Sequence, residues 1–276
     1  MTAMPSPALA SPSNPRIKAV ARLRDRRQRD ETGLTLVDGA REVRRALDSH
    51  ADVVEAFVCD PLLAGEDARA VLDALETRRV PTTSTSETAF TKLAFGDRGD
   101  GIVAVVRIPP MRLDDLELPA EPLVVIVEGV EKPGNLGAVL RSADGAGADA
   151  LIAASPRTDL MNPNTIRSSA GTIFSVRIAA APTGEVIDWL RGHSIRVVAA
   201  RVDADTLYTD ADLTGGVAIA FGSEAGGLTA AWRTENVGAV RLPMLGIADS
   251  LNVSVSAAVL LYEARRQRDA RRQSAD

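Results

Sequence analysis

Residues Leu123–Val130 (LVVIVEGV) form a near-continuous apolar run, and similar short runs recur at Ala150–Ala154, Ser175–Ala180, Ile195–Val202, Val217–Phe221 and Ala239–Leu242. A strand with one wetted face alternates apolar and polar side chains, whereas unbroken runs belong to strands covered on both faces. Segments of helical character stand between most of these runs: Leu136–Ala146, Asn164–Gly171, Thr183–Arg191 and Leu228–Glu235. Strand and helix repeated in this way predict a parallel sheet flanked by helices, because parallel neighbours need a crossover. The expected fold class is α/β, with the parallel-sheet domain in the C-terminal half.

The N-terminal half predicts a smaller α/β/α unit. Its expected helices are Pro15–Arg29, Gly39–Ser49, Glu66–Arg79 and Glu87–Leu93. Ala68, Val71, Leu72 and Leu75 share one side of the third. Strands are expected at Leu34–Val37, Val53–Cys59, Val80–Thr85 and Gly101–Ile108, the last entered through GDRGDG. The prolines and acids of PPMRLDDLELPAEP mark a linker. The organisation read from this is a flexible tail at 1–12, a first domain at 13–108, a linker at 109–121 and a second domain at 122–273.

Composition excludes several kinds of chemistry. A single cysteine, Cys59, rules out an internal disulfide and a cysteine metal cluster, and two histidines, His50 and His193, cannot build a histidine-rich metal site. No metal is expected. No apolar stretch approaches the roughly 20 residues that span a bilayer. The opening MTAMPSPALASPSNP lacks the charged start and apolar core of a secretion signal. A cytoplasmic protein without a membrane partner is the expectation.

The formal net charge is −5, which argues against a general nucleic-acid coat, but the charge is unevenly placed. Arg16, Lys18, Arg22, Arg24, Arg26, Arg27 and Arg29 face only Asp25, and Arg265, Arg266, Arg268, Arg271 and Arg272 crowd the C-terminal end. Each run is either a solvated helix face or a surface for a polyanion. With aromatics at 3%, contact with nucleic acid must rely on arginine and backbone rather than ring stacking.

Three segments at expected strand ends carry candidate chemistry. After the strand at 123–130 come Gly134, Asn135 and Gly137, a tight turn into a helix that carries Arg141 and Ser142. This is not the G-x-G-x-x-G of a dinucleotide site. After 217–221 comes Gly222-Ser223-Glu224-Ala225-Gly226-Gly227-Leu228, with three glycines around one carboxylate. After 239–242 come Pro243 and Met244, then Ser250-Leu251-Asn252 opening a helix on which Ser250 and Ser254 share a face. Each segment has a plain structural alternative: a βα turn, a set of turn formers, or a capped core helix.

N-L-G-x-x-x-R-S at 135–142, G-S-E-x-G-G-L at 222–228 and L-P-M…S-L-N-V-S-V-S at 242–256 resemble, in order and spacing, the three motifs of the SpoU (TrmH) branch of the SPOUT RNA 2′-O-ribose methyltransferases. The stretch NPRIKAVARLRDRRQRD…TLVDGAREVRRAL at 14–47 is similar to the start of that family's RNA substrate-binding domain, and GIVAVV at 101–106 to its last strand. The likeness runs along essentially the whole chain and leans toward ribosomal-RNA enzymes, antibiotic-resistance methylases among them. Lys132 stands where aspartate is common and Ser256 where alanine is common. The resemblance implies a trefoil knot in the C-terminal domain, a homodimer with sites built from both subunits, and S-adenosylmethionine as cofactor.

On the same resemblance, Arg141, Asn135, Glu224 and Asn252 are the catalytic residues, and Gly222, Leu242, Met244, Ser250 and Leu251 line the cofactor pocket. Arg141 acts either as base or as an electrostatic clamp on the phosphate beside the target ribose; guanidinium holds its proton tightly. Arg16, Lys18, Arg22, Arg26 and Arg41 are the expected RNA contacts. The activity implied is methylation of a ribose 2′-hydroxyl, in 23S ribosomal RNA first. The alternatives are a transfer-RNA enzyme and a non-catalytic RNA-binding or ribosome-assembly factor on the same scaffold. A nicotinamide-dependent oxidoreductase lacks its glycine fingerprint.

Overall fold

The computed structural model describes residues 9–95 and 100–274. Residues 1–8 of the expected tail and most of the GDRGDG segment lie outside the described residues. The chain divides into two compact units, Met1–Pro109 with Met161–Ser175, and Pro110–Leu160 with Val176–Asp276.

In the first unit, α1 (Pro15–Ala21), α2 (Arg26–Thr32), β1 (Leu34–Asp38), α3 (Ala40–Asp48), β2 (Val53–Val58), α4 (Gly65–Thr77), β3 (Thr82–Ser84), α5 (Glu87–Leu93) and β4 (Ile102–Arg107) follow in order. Their sheet runs β1-β4-β2-β3, antiparallel except for β2 with β3. Ile17, Val20 and Leu23 pack with Leu36, Phe57, Phe90 and Val103 in its core. Leu9 and Ala10, read with the tail, are held to the sheet instead: Leu9 N donates to Ser84 O at 2.9 Å and Ser86 Oγ to Ala10 O at 2.7 Å.

The single helix expected over Pro15–Arg29 is corrected to two. A 3₁₀ turn at Arg22–Arg24 and an extended Asp25 separate them. Long-range contacts cause the break. Arg29 is buried, 1% exposed, and gives Nη1 to the carbonyls of Leu23 and Arg24 at 2.8 and 2.6 Å. Arg24 in turn donates to the carbonyls of Lys92, Leu93 and Ala94 at the end of α5 and lies over Phe95. Carbonyls at a helix terminus need such partners.

In the second unit come β5 (Leu123–Glu128), α6 (Pro133–Ala146) and β6 (Ala150–Ala154); α7 (Pro163–Ser168) then lies in the segment Met161–Ser175 that folds with the first unit. There Thr35 Oγ1 donates to Met161 O at 2.7 Å and Arg45 Nη1 to Ala170 O at 2.7 Å. Arg167 bonds Asp38 and the Phe95 carbonyl. Gly171 sits at φ +82°, and a Cβ on it would press within 3.2 Å of the α3 backbone at Glu42.

The second unit continues with β7 (Arg177–Ala181), α8 (Thr183–Gly192), β8 (Arg196–Ala200), β9 (Thr206–Leu207), β10 (Val217–Phe221), β11 (Val237–Arg241) and α9 (Val253–Gln273). All neighbours in the sheet β7-β6-β5-β10-β8-β11-β9 are parallel. The β5 residues are all buried, as the apolar run requires. The helix expected at Leu228–Glu235 is only a 3₁₀ turn, Ala230–Trp232. Thr229 is drawn out of helical geometry because its N–H and hydroxyl both bond the buried Glu128, at 2.7 and 2.9 Å, while Trp232 is fully buried.

The C-terminal basic run is largely engaged within this unit. Arg268 donates to the carbonyls of Glu121 and Pro122 at 3.0 Å, and Arg265 and Arg266 pair with Asp269 and Glu263. No helix among the described residues is long and apolar enough to cross a membrane.

Candidate active site

The carboxyl ends of β5, β10 and β11 deliver the three polar segments to one edge of the sheet. Ligands in open α/β sheets bind at that edge, near the point where strand order reverses. Here β6 and β7 extend one way from β5, while β10 and β8 extend the other. β5 and β10 pair with Val127 opposite Phe221, so the loops that follow leave side by side. Asn135, in the first turn of α6, accordingly gives its amide N–H to Glu224 Oε1.

The third segment joins the same relay. Asn252 caps α9, its Oδ1 accepting Ser254 N at 2.9 Å and Ser254 Oγ at 2.7 Å. Its Nδ2 donates to Asn135 Oδ1 at 3.3 Å. Ser254, Asn252, Asn135 and Glu224 therefore form one hydrogen-bonded chain across three loops, with polar atoms of all three segments fixed in orientation.

Gly222 explains the glycines. A Cβ there would lie 2.0 Å from the Gly227 carbonyl carbon and 2.2 Å from Leu228 N, so only glycine permits the loop to fold back. The fold-back is locked by Ser223 N to Gly227 O at 3.2 Å and Gly227 N to Ser223 O at 2.9 Å. Beside it lies a cavity of about 420 Å³ lined by Gly222, Leu242, Met244, Ser250 and Leu251, the five residues for which the resemblance implies a cofactor role. Its volume falls in the range of small-molecule sites. Mixed apolar side chains and exposed loop backbone suit a nucleoside carrying an aliphatic arm.

Arg141 does not join the relay. It is exposed on α6, and no hydrogen bond or ion pair ties it to Glu224 or Asn252 among the described residues. Six positions separate it from Asn135, which turns it ~240° around the helix and ~9 Å along it. The two side chains leave different faces.

Of the expected RNA contacts, all in the first unit, Lys18 and Arg22 are exposed. Arg26 pairs with Asp30 at 3.6 Å, Arg16 pairs with Glu55 over the Phe57 ring, and Arg41 is tied to the buried Glu42 at 2.6 Å.

Sequence reasoning missed the charged cavity wall of Arg201, Asp203 and Arg233, and the buried Glu128 that anchors Thr229 and Thr183. The signal for Arg201 and Asp203 was present: they follow the end of β8, another strand that opens on the same edge.

An all-parallel α/β unit with a glycine-walled cavity and a side-chain relay at its carboxyl edge has the form of a small-ligand site. Residues 122–262 match the SpoU rRNA methylase family, and 14–104 match the MRM3-like substrate binding domain. The 23S rRNA (uridine(2479)-2′-O)-methyltransferase of Streptomyces viridochromogenes is 34% identical over 258 residues, 90% of this chain and 88% of that protein. A solved RNA 2′-O ribose methyltransferase, 44% identical, covers 95% of this chain and 99% of its own with a TM-score of 0.83. The AdoMet-bound rRNA methyltransferase of Sinorhizobium meliloti, 28% identical, covers 94% and 97% with a TM-score of 0.85. The chain belongs to the SpoU rRNA methylase family.

Proposed function

We propose that this protein transfers the methyl group of S-adenosylmethionine to a ribose 2′-hydroxyl of 23S ribosomal RNA. The observation that carries the reading is the relay of Ser254, Asn252, Asn135 and Glu224 beside the cavity behind Gly222. Bound there, the cofactor supplies an electrophilic methyl group. Gly222, Leu242, Met244, Ser250 and Leu251 hold it by backbone and apolar contact. Asn135, Glu224 and Asn252 orient the incoming ribose, and alignment of two reactants supplies much of such a rate. Arg141 grips the phosphate next to that ribose and stabilises the developing alkoxide. As the oxygen–methyl bond forms, the sulfur–methyl bond breaks, S-adenosylhomocysteine leaves and the hydroxyl proton passes to solvent.

Arg141 performs this task in the site of a second copy. Its exposure and its direction on α6 fit that role, as do the apolar Val255 and Tyr262 of α9, which are 47 and 54% exposed. Positions 255 and 262 fall along one side of α9, and an unpaired stripe of this kind suits a homodimer. A trefoil knot, an exception to the usual absence of threading, is supported by the chain path. β8 separates β10 from β11, and after β11 the chain returns to pack α9 on α6. We assign 13–108 as the RNA substrate domain, 109–121 as its linker, 122–273 as the methyltransferase domain, and the cytoplasm as its place of action.

Mapping 2′-O-methyl groups on 23S RNA incubated with protein and S-adenosylmethionine tests the activity. One new modified ribose is expected; cofactor bound without any new methyl group would favour the RNA-binding factor instead.

A further inference from the structure

One wall of the cavity is charged, and the three motif segments do not account for it. β8 ends at Ala200, and Arg201 N donates to Val240 O at 2.9 Å, which fixes where the following side chains depart. Arg201 then grips Asp203 with Nε at 2.9 Å and Nη2 at 2.8 Å. Arg233, held in place by the fully buried Trp232 before it, meets the same carboxylate at 3.0 Å. All three residues line the cavity.

Their exposures differ in a useful way. The Arg201 side chain is 19% exposed and Arg233 52%, so the first is a brace and the second is open to a ligand. Asp203 carries bonds from both guanidinium groups, which hold its carboxyl down at about 2. Both of its oxygens are engaged, and two cations on one anion leave this wall with a net positive charge. Arg233 uses one nitrogen on Asp203 and, among the described residues, has no other ion pair. A guanidinium presents five donors, enough for a further anion.

Sign decides what this wall can take. Resting on the reading of the cavity as an S-adenosylmethionine site, the ligand offers a neutral nucleoside, a sulfonium, an ammonium and a single carboxylate. Both cationic groups are repelled by the wall, and the nucleoside gains little from it. We propose that Arg233, braced by Asp203 and Arg201, receives the α-carboxylate of the cofactor's methionyl arm. Arg233 thereby makes the site selective for the amino-acid end, while Gly222, Leu242 and Leu251 serve the rest of the molecule.

Calorimetry with two probes separates the ends: S-adenosylhomocysteine carries the carboxylate, and 5′-methylthioadenosine lacks it. Arg233→Ala is expected to weaken S-adenosylhomocysteine ~10–100-fold, the usual scale for a charge-assisted bond. It should leave 5′-methylthioadenosine within about twofold, which also shows that the cavity has folded. Asp203→Asn, which loosens the brace, should shift affinity the same way by less. Equal loss for both probes, or RNA affinity that falls while both probes bind normally, overturns the assignment of Arg233. Wild-type protein that binds neither probe overturns the cofactor reading itself, and this assignment with it.

Discussion

The Asn135 side-chain amide donates to the Glu224 carboxylate, tying the first turn of α6 to the loop after β10. Glu224 is exposed, so the bond contributes little to folding; in the proposed function it aims polar atoms toward the ribose. Glu224→Gln keeps an acceptor for Asn135 but removes the charge. It should lower kcat ~10–100-fold, the cost of a small misplacement of reactants. S-adenosylmethionine affinity should stay within about twofold by calorimetry; a parallel loss of affinity would make Glu224 a cofactor residue.

Gly222→Ala tests the fold-back of the same loop. The new methyl would collide with backbone at 2.0 Å, which cannot swing away as a side chain can. Overpacking of this kind costs ~1–3 kcal/mol, and cofactor binding should be lost with it. At Gly226 the nearest atom is Ser223 Oγ at 3.5 Å, so Gly226→Ala should retain both stability and binding. Thermal melts and calorimetry on the pair decide; a Gly222→Ala protein that binds normally would disprove the close approach.

Legibility followed the range of the interactions. Asn135, Glu224 and Asn252 could be read because each lies where a strand gives way to glycine and small polar residues, a local pattern. Gly222, Leu242 and Leu251, which line one cavity, were singled out only through the family resemblance. Arg233 was hidden because it reaches Asp203 across thirty positions of chain without a motif of its own. The break at Arg22–Arg24 was hidden too: helical periodicity continues through it, and only Arg29 and the distant α5 carbonyls impose it. The segment Met161–Ser175 reads as ordinary α/β sequence, and nothing local announces that Thr35 and Arg45 of the first unit hold it.

Those structural arginines divide the N-terminal basic run. Lys18 and Arg22 are exposed, whereas Arg29 is enclosed and satisfies two carbonyls. Replacing Lys18 and Arg22 together by Ala should reduce RNA affinity and flatten its dependence on salt by about one logarithmic unit of slope per charge. The melting temperature should not move. Arg29→Ala should instead destabilise by ~1–3 kcal/mol, through carbonyls left unpaired. Filter binding across a salt series, with melts alongside, would refute the division if the two variants behaved alike.

Asp38 makes stability depend on pH. Burial pushes its carboxyl up to about 6 from 3.8, against the opposing effects of the Phe95 N–H and Arg167, with Asp100 adding to the rise. The native state therefore binds this proton more tightly than the unfolded chain. Stability should fall as pH climbs from about 4 to about 6, by roughly 3 kcal/mol at most, and level off above. Asp38→Asn removes that slope. Denaturant midpoints for both proteins across the window check it, and identical slopes would exclude Asp38 as the source.

Arg141 and Glu224 allow a test of whether each site draws on two chains. In a heterodimer of Arg141→Ala with Glu224→Gln, action across the interface places both lesions in one site and leaves the other intact. Such a heterodimer, co-expressed with two tags and purified through both, should recover about half the wild-type rate, one site of two. If Arg141 served the site of its own chain, each site would carry one lesion and the heterodimer would be as slow as either parent. Recovery also requires that the exposed side of α9 lie in the interface, so Val255→Glu, placed there, should convert the protein to a monomer and abolish turnover. A monomeric variant that still methylates RNA would return Arg141 to its own chain's site.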